Sequence, residues 1–330
     1  MTSKRLPVWL PLTAALLLGG CSSVSGPDPQ TEAQIPQQAP QHQTGRASPG
    51  NQLPELPPIN ASSNLCTEQE LVHHYAQQFL LRHPLPLPSP DLSLEQARCG
   101  QKAFLKTLIP SAGPVVGYKR ELLPISAHAS SSDTDRLPVR GSLLEKMVLP
   151  NDPVVATQFG AVPRIEADLV AVVRSAALHD AQSPREVLAS LSAIHPFIEL
   201  SDLAYLKSEE LDVTSATLVN VNGRFGVLGP AIDIQVTEEM VDQLASMRVK
   251  LLDKNGKVLQ SAPGSSLAGN PLNAVIWLAD DLQKAGIRLR PGDLLSLGAF
   301  GEKVIPESGQ QYRAVYEGLP DTPEVSVRFR

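Results

Sequence analysis

Arg164-Ile165-Glu166-Ala167-Asp168-Leu169-Val170-Ala171-Val172-Val173 is strand-like, yet two acids stand inside its apolar run. Side chains at i and i+2 of a strand share a face, so Glu166 and Asp168 point the same way. Two readings follow. The strand has one wet face and the acids are solvated there. Alternatively the acids face inward, where paired carboxylates repel and resist burial, and a bound divalent cation removes that cost. Hard oxygen ligands favour Mg²⁺ or Mn²⁺ over Zn²⁺. A third acid set in apolar sequence, Glu199 in Ile194-His195-Pro196-Phe197-Ile198-Glu199-Leu200, is available as a further ligand.

Around this stretch, from Val115 onward, the chain alternates short strand patterns with tight turns. Asn222-Gly223 between Leu218–Val221 and Phe225–Leu228, and Asn255-Gly256 between Val249–Leu252 and Val258–Leu259, predict type I′ hairpins. Arg290-Pro291-Gly292-Asp293 suits a type II turn. Helices start at Ser183-Pro184 and at Asn270-Pro271, each with a capping residue and Pro at the first helical position; Gly286 ends the second. Further upstream, Thr67-Glu68-Gln69-Glu70 and Ser93-Leu94-Glu95-Gln96 read as capping boxes. Leu71, Tyr75 and Phe79 recur on one face of the first of these helices. The pattern predicts an α+β fold with a strand-rich core, in one domain over 66–330.

The N-terminus is an address rather than structure. Lys4 and Arg5 precede an apolar run from Leu6 to Leu18, broken by Pro7 and Pro11, and then Gly19-Gly20-Cys21. Residues 1–20 read as a secretory signal. With Cys at the cut, the segment resembles the bacterial lipoprotein lipobox. That resemblance implies an acylated Cys21 as mature N-terminus and a membrane partner through the lipid anchor. With Ser22 rather than Asp after the Cys, it also implies a periplasm-facing location at the outer membrane. Residues 21–65 are Pro-, Gln- and Ser-rich and read as a flexible tether, or else as a mucin-like recognition segment. Cys66 and Cys99 lie near two helix starts. An oxidising compartment would pair them in a disulfide, the other reading being two buried thiols.

Composition excludes one large class. A net charge of -6 and 4% aromatics provide neither a basic face nor base-stacking platforms, so no nucleic-acid partner is expected. Gly264-Ser265-Ser266-Leu267-Ala268 lacks the last Gly of a nucleophile elbow, and the adjacent His73 and His74 diverge on a helix.

Gly117-Tyr118-Lys119, Pro163-Arg164-Ile165-Glu166-Ala167-Asp168, Pro196-Phe197-Ile198-Glu199, Gly269-Asn270-Pro271-Leu272 through Ala279, and Leu289-Arg290-Pro291-Gly292-Asp293 through Gly298 occur in one order. Together they resemble the fumarylacetoacetate hydrolase superfamily, on its 2-keto-4-pentenoate hydratase side. The resemblance implies a mixed β-sandwich roll with flanking helices. It places Glu166, Asp168 and Glu199 on the family's metal ligands, with Asp168 where a Glu is usual, and Lys119 on the active-site lysine. The implied chemistry is metal-assisted enolate formation on a small 2-oxo acid, with Lys119 donating a hydrogen bond to developing charge or moving a proton. Several family positions are changed. Arg136 stands before Leu137-Pro138 where an Asp is expected. Asp202-Leu203-Ala204 replaces Asp-Ser-Arg, Asn270 replaces a His, and Leu297 replaces a Thr. The chain is therefore expected to be either a metal-dependent hydratase or lyase, or a pseudoenzyme lipoprotein binding a small acid or an envelope partner. A homo-oligomer is left open.

Overall fold

The acid-bearing stretch forms β5 (Pro163–Val173), which pairs antiparallel with β6 (Leu191–Asp202) along its length. In this computed structural model, residues 56–57, 59, 64–66, 69–126 and 135–330 are described. The remaining strands are β1 (Val115–Pro124), β2 (Arg136–Leu144), β3 (Val148–Pro150), β4 (Val154–Val155), β7 (Gly223–Leu228), β8 (Arg248–Leu252), β9 (Val258–Pro263), β10 (Leu294–Ser296), β11 (Gln311–Glu317) and β12 (Glu324–Phe329). A mixed seven-stranded sheet runs β2-β1-β10-β5-β6-β7-β3, and a five-stranded sheet runs β4-β12-β11-β8-β9. The larger sheet curls until β2 meets the chain entering β7. There the Asn220 amide accepts from Ser142 N at 2.7 Å and donates to Ser142 O at 2.9 Å, as a neighbouring strand would. The α+β class and strand-rich roll agree with the sequence pattern.

The two faces of the curled sheet differ. Ile165, Ala167, Leu169 and Ala171 of β5 and Ile194, Ile198 and Leu200 of β6 point into the main core. They meet Leu272, Val275, Leu278 and Leu282 of α6 (Pro271–Lys284) there. The opposite face carries the acids, and it is not wet. Glu166, Asp168 and Glu199 are 1%, 0% and 4% exposed, which removes the solvated-face reading.

Helices α1 (Glu70–Leu80) and α2 (Leu94–Ala112) form a second apolar cluster, with Phe79 edge-on to Phe104. The capping boxes at Ser93 and Ser183 are present, the latter opening α3 (Pro184–Ser190). Asn270 caps α6. The first predicted box does not open α1. Thr67 lies outside the described residues, and Gln69 occupies the cap without a side-chain hydrogen bond. Cys66 and Cys99 are joined in a disulfide closing a separation of 33 residues. On the loop-entropy model such a bridge contributes about 3–4 kcal/mol. Ile59 and Leu65, within the stretch expected as tether, are buried in the α1–α2 cluster, so packing begins before Cys66. The signal segment, Cys21 and the tether up to residue 55 lie outside the described residues. Among the described residues, no helix is long and apolar enough to cross a membrane.

One predicted hairpin is corrected. The expected strand Leu218–Val221 is instead the end of α4 (Val213–Leu218) and the turn that follows it; the Asp212 side chain caps this helix, accepting from Thr214 N and Ser215 N. The Asn255-Gly256 hairpin does join β8 to β9. Its turn differs from type I′, since Gly256 has φ +79° while Asn255 is not left-handed. Asp253 closes it by accepting from Asn255 N and Lys257 N. The Arg290–Asp293 turn carries Gly292 at φ +93° and an Asp293 N to Arg290 O bond of 3.0 Å, as type II requires.

Candidate functional site

Curling of the sheet brings β1 across from β6, and four elements deliver charge to one buried point. Strand register sets Glu166 directly opposite Glu199 on β5 and β6. Like charges so placed destabilise a sheet unless something positive lies between them. Two residues apart on β1, Lys119 and Glu121 share a face and reach the same point. One oxygen from each of Glu121, Glu166 and Glu199 lies within 4.8 Å of the others.

Two ammonium groups occupy this acidic centre. Lys119 Nζ donates to Glu199 Oε1, to Glu121 Oε2 at 3.1 Å and to Val221 O at 2.8 Å, using all three of its protons. Lys303 Nζ, from the loop between β10 and β11, lies 2.7 and 2.6 Å from the two oxygens of Glu166 and 2.9 Å from Glu121 Oε1. Burial opposes ionisation of Glu121, but Lys119 and Lys303 overcome it and hold its carboxyl down at about 2. Glu199 is pushed up to about 8 by burial, which Lys119 opposes and the neighbouring carboxylates reinforce. Burial disfavours the Lys119 charge, yet Glu121 and Glu199 raise its pKa above the ordinary lysine value. With three acids, two ammonium groups and a proton on Glu199, the centre is neutral, as a buried cluster requires. Lys119 holds its proton and acts within the centre as a hydrogen-bond donor.

The backbone around Lys119 is built to hold it. Asn220, Val221 and Asn222 have φ of +60°, +54° and +58°. A β-branched valine in that region is an outlier costing on the order of 1–3 kcal/mol. It is held because Asn220 pairs with Ser142, and it aims Val221 O at the ammonium. Gly141 lets the lysine stem pass: a Cβ there would lie 2.9 Å from Lys119 Cγ and 2.8 Å from Asn220 O.

The structure brings Lys119, Glu166 and Glu199 together. Asp168, on the same face of β5, turns away from the trio. Its Oδ1 accepts from Leu169 N, from Leu297 N at 3.2 Å and from Gly298 N at 2.9 Å, and its Oδ2 accepts from the Ser296 hydroxyl. Burial pushes its carboxyl up to about 7, against these hydrogen bonds. Two charged residues of the centre were not anticipated from sequence. Glu121 obeys the i, i+2 rule from Lys119 and was legible on that ground. Lys303 sits in a loop whose sequence carries no periodic signal.

Asp202, which precedes the changed Leu203 and Ala204, the changed Asn270 and the other polar residues singled out from sequence have structural work. Asp202 accepts from Ala161 N, Val162 N and Ala204 N and pairs with buried Arg224 at 3.0 Å. Asn270 accepts from Leu272 N and donates to Val241 O. Ser266 bonds back to Pro263 O within a 3₁₀ turn, so no nucleophile elbow is formed. His179 and His195 each bond a backbone carbonyl. Trp277 packs on the core below Arg120, whose guanidinium is 5.7 Å from its ring.

The part of the chain that carries Glu166, Glu199 and Lys303 is matched by a family model. The fumarylacetoacetate (FAA) hydrolase C-terminal family matches residues 142–326, and the chain belongs to that family. It is 26% identical over 247 residues to a 4-oxalocrotonate decarboxylase of Pseudomonas putida, covering 75% of this chain and 89% of that protein. It is 24% identical over 238 residues to a 2-keto-4-pentenoate hydratase of Paraburkholderia xenovorans (strain LB400), covering 72% and 85%. Against 2-keto-4-pentenoate hydratase 2 of Dechloromonas aromatica (strain RCB) it is 25% identical over 183 residues, 54% of this chain and 66% of the relative. Among solved structures, 4-oxalocrotonate decarboxylase from Pseudomonas putida G7, complexed with magnesium and adipate, shares the fold. Its TM-score is 0.65 at 22% identity, covering 79% of this chain and 97% of that one. The same enzyme has also been solved with calcium and acetate.

Proposed function

We propose that this chain is a lipid-anchored protein of the cell envelope, outer-membrane and periplasm-facing, whose domain carries out metal-assisted enolate chemistry on a small 2-oxo acid. The observation that carries the reading is the convergence of Glu121, Glu166 and Glu199 beside the buried Lys119. The donor set fits a hard divalent cation, Mg²⁺ or Mn²⁺, since three carboxylate oxygens within 4.8 Å of one another can face one ion. Such a cation, when bound, supplies the positive charge that acidifies the carbon beside a 2-oxo group. With an ion drawing Glu121 and Glu199 to itself, Lys119 Nζ, still fixed by Val221 O, would be free to donate to the oxygen on which negative charge develops. Burial of the centre excludes water and strengthens that bond.

With Mn²⁺ present, the full chain is expected to exchange the C3 protons of pyruvate-like acids with solvent deuterium. Proton NMR of a panel of 2-oxo acids reads this directly. Exchange needs no substrate-specific contacts, so it tolerates the changed Asn270, Leu297 and Ala204 positions. A second reading, a pseudoenzyme lipoprotein binding a small acid or an envelope partner, has one observation in its favour: both lysines already satisfy the carboxylates. No exchange across the panel, with Mn²⁺ demonstrably bound, selects this second reading.

Anchoring rests on the order of basic start, apolar run, Gly19-Gly20 and Cys21. Cys21→Ser should move the protein from the membrane to the soluble fraction. Retention of that variant on membranes at high salt rules out the lipid anchor.

A further inference from the structure

We propose that Lys303 is a tethered cation that closes the carboxylate centre of the metal-free protein and must withdraw for a divalent ion to enter. The inference rests on the metal-binding reading above and adds how that site is guarded.

The position of the ammonium is the first ground. Lys303 Nζ touches both oxygens of Glu166 and reaches Glu121 Oε1, so it lies among the carboxylates that an ion would join. Glu166 opposes Glu199 across β5 and β6, and Lys119 is already committed to Glu199 and Glu121. The ammonium that neutralises Glu166 is that of Lys303. Remove it, and the centre is left short of positive charge, which an entering cation restores.

The second ground is the contrast between the two lysines. The Lys119 side chain is 0% exposed, threaded past Gly141 and tied to a carbonyl, and it has nowhere to go. The Lys303 side chain is 23% exposed, whereas those of Glu121, Glu166 and Glu199 are 6%, 2% and 5%. Lys303 therefore covers the solvent side of the centre. Its main chain is pinned, because the next residue, Val304, exchanges both backbone hydrogen bonds with Ile165 of β5. Opening then requires only rotation of a flexible stem and no movement of the loop. The centre exchanges a tethered single charge for a free double charge, and the amine of Lys303 passes into solvent.

The test uses full-length protein in detergent and Mn²⁺ alone, with bound ion read by electron paramagnetic resonance. Lys303→Met, which keeps the length of the stem and removes its charge, should bind Mn²⁺ at least about tenfold more tightly than wild type, since a nearby positive charge is gone. Lys303→Gln should do the same and serves if the Met variant does not fold. Adding Glu166→Gln should cancel the gain. In wild type, saturating Mn²⁺ should raise acetylation of Lys303 by a brief pulse of acetic anhydride, read by peptide mass spectrometry, and leave Lys119 unmodified. Equal Mn²⁺ affinity in wild type and both variants, or unchanged Lys303 labelling with Mn²⁺ bound, overturns the tethered-cation role while leaving the metal site standing. Failure of every form, variants included, to bind millimolar Mn²⁺ ends the metal-binding reading and this inference with it.

Discussion

Lys119→Met should destabilise the metal-free protein by about 3–5 kcal/mol, because it leaves partners of a buried ion pair without their counter-charge. The lysine side chain has no exposure, and its ammonium is shared by Glu121, Glu199 and Val221 O. Met preserves the stem that Gly141 accommodates, so packing is little changed and the loss is electrostatic. Glu121→Gln in the same chain removes the stranded charge and should recover a large part of the deficit, a coupling that a purely steric effect would not show. Urea unfolding of wild type, both single variants and the double variant measures it. A single Lys119→Met variant within about 1 kcal/mol of wild type refutes the view that this ion pair holds the centre together. The same change removes the hydrogen-bond donor proposed for the developing oxyanion. Exchange of 2-oxo acid protons should therefore fall by roughly 10²–10³ at saturating Mn²⁺. Loss of stability without loss of exchange would keep the structural role and discard the catalytic one.

The parts of the fold legible in the sequence are those whose cause is local. Ser93, Ser183 and Asn270 cap helices because a short polar side chain can serve an amide two or three residues away, wherever the rest of the chain lies. The strand nature of β5 follows from its own residues. What brings the sheet together is not local. β1 lies parallel to β10, with Gly117–Lys119 against Leu294–Ser296, and no spacing rule connects segments so far apart. The hairpin expected at Asn222-Gly223 shows a local signal misread. Asn222 is left-handed, but Gly223 already belongs to β7, and Asp212 had committed the preceding segment to a helix.

At the site, the same division holds. Glu166 and Glu199 could be weighed as acids set in apolar strand sequence, and Lys119 followed from family resemblance. Burial then decided between a wet face and an inward one, a matter that depends on what covers the sheet. Lys303 reaches the centre only because Val304 bridges to Ile165, a contact across more than half the domain that leaves no trace in the loop's composition. Asp168 is the instructive case. Its spacing from Glu166 is right for a shared ion, but Ser296 and the amides of Leu297 and Gly298 take its carboxylate. Those partners come from β10 and the turn after it.

Asp168 also provides the sharpest pH test. In the folded chain its carboxyl is raised from 3.8 to about 7, chiefly by burial. Below pH 4 the folded and unfolded chains both carry the proton. Between pH 4 and 7 the unfolded carboxyl ionises while the folded one holds its proton, so this residue's contribution to stability falls as pH rises. Above pH 7 both are ionised and the full cost of a buried charge is present, about 4 kcal/mol for a shift of this size. Asp168→Asn should escape that cost. Its amide oxygen can accept from the same backbone amides, and its NH₂ can donate to Ser296 Oγ. The metal-free variant is therefore expected to gain on wild type from pH 4 to about pH 7, by several kcal/mol, and to level off above it. The low carboxyl of Glu121 gives an opposite trend below pH 4.5, but it is common to both proteins and cancels in the difference. A stability difference that stays flat over this range shows that the buried carboxylate is ionised throughout. If Asp168 is instead a ligand, the variant should lose the Mn²⁺-induced rise in melting temperature that wild type shows. With its carboxylate held by Ser296 and two amides, Asp168→Asn should keep that rise, whereas Glu166→Gln should abolish it.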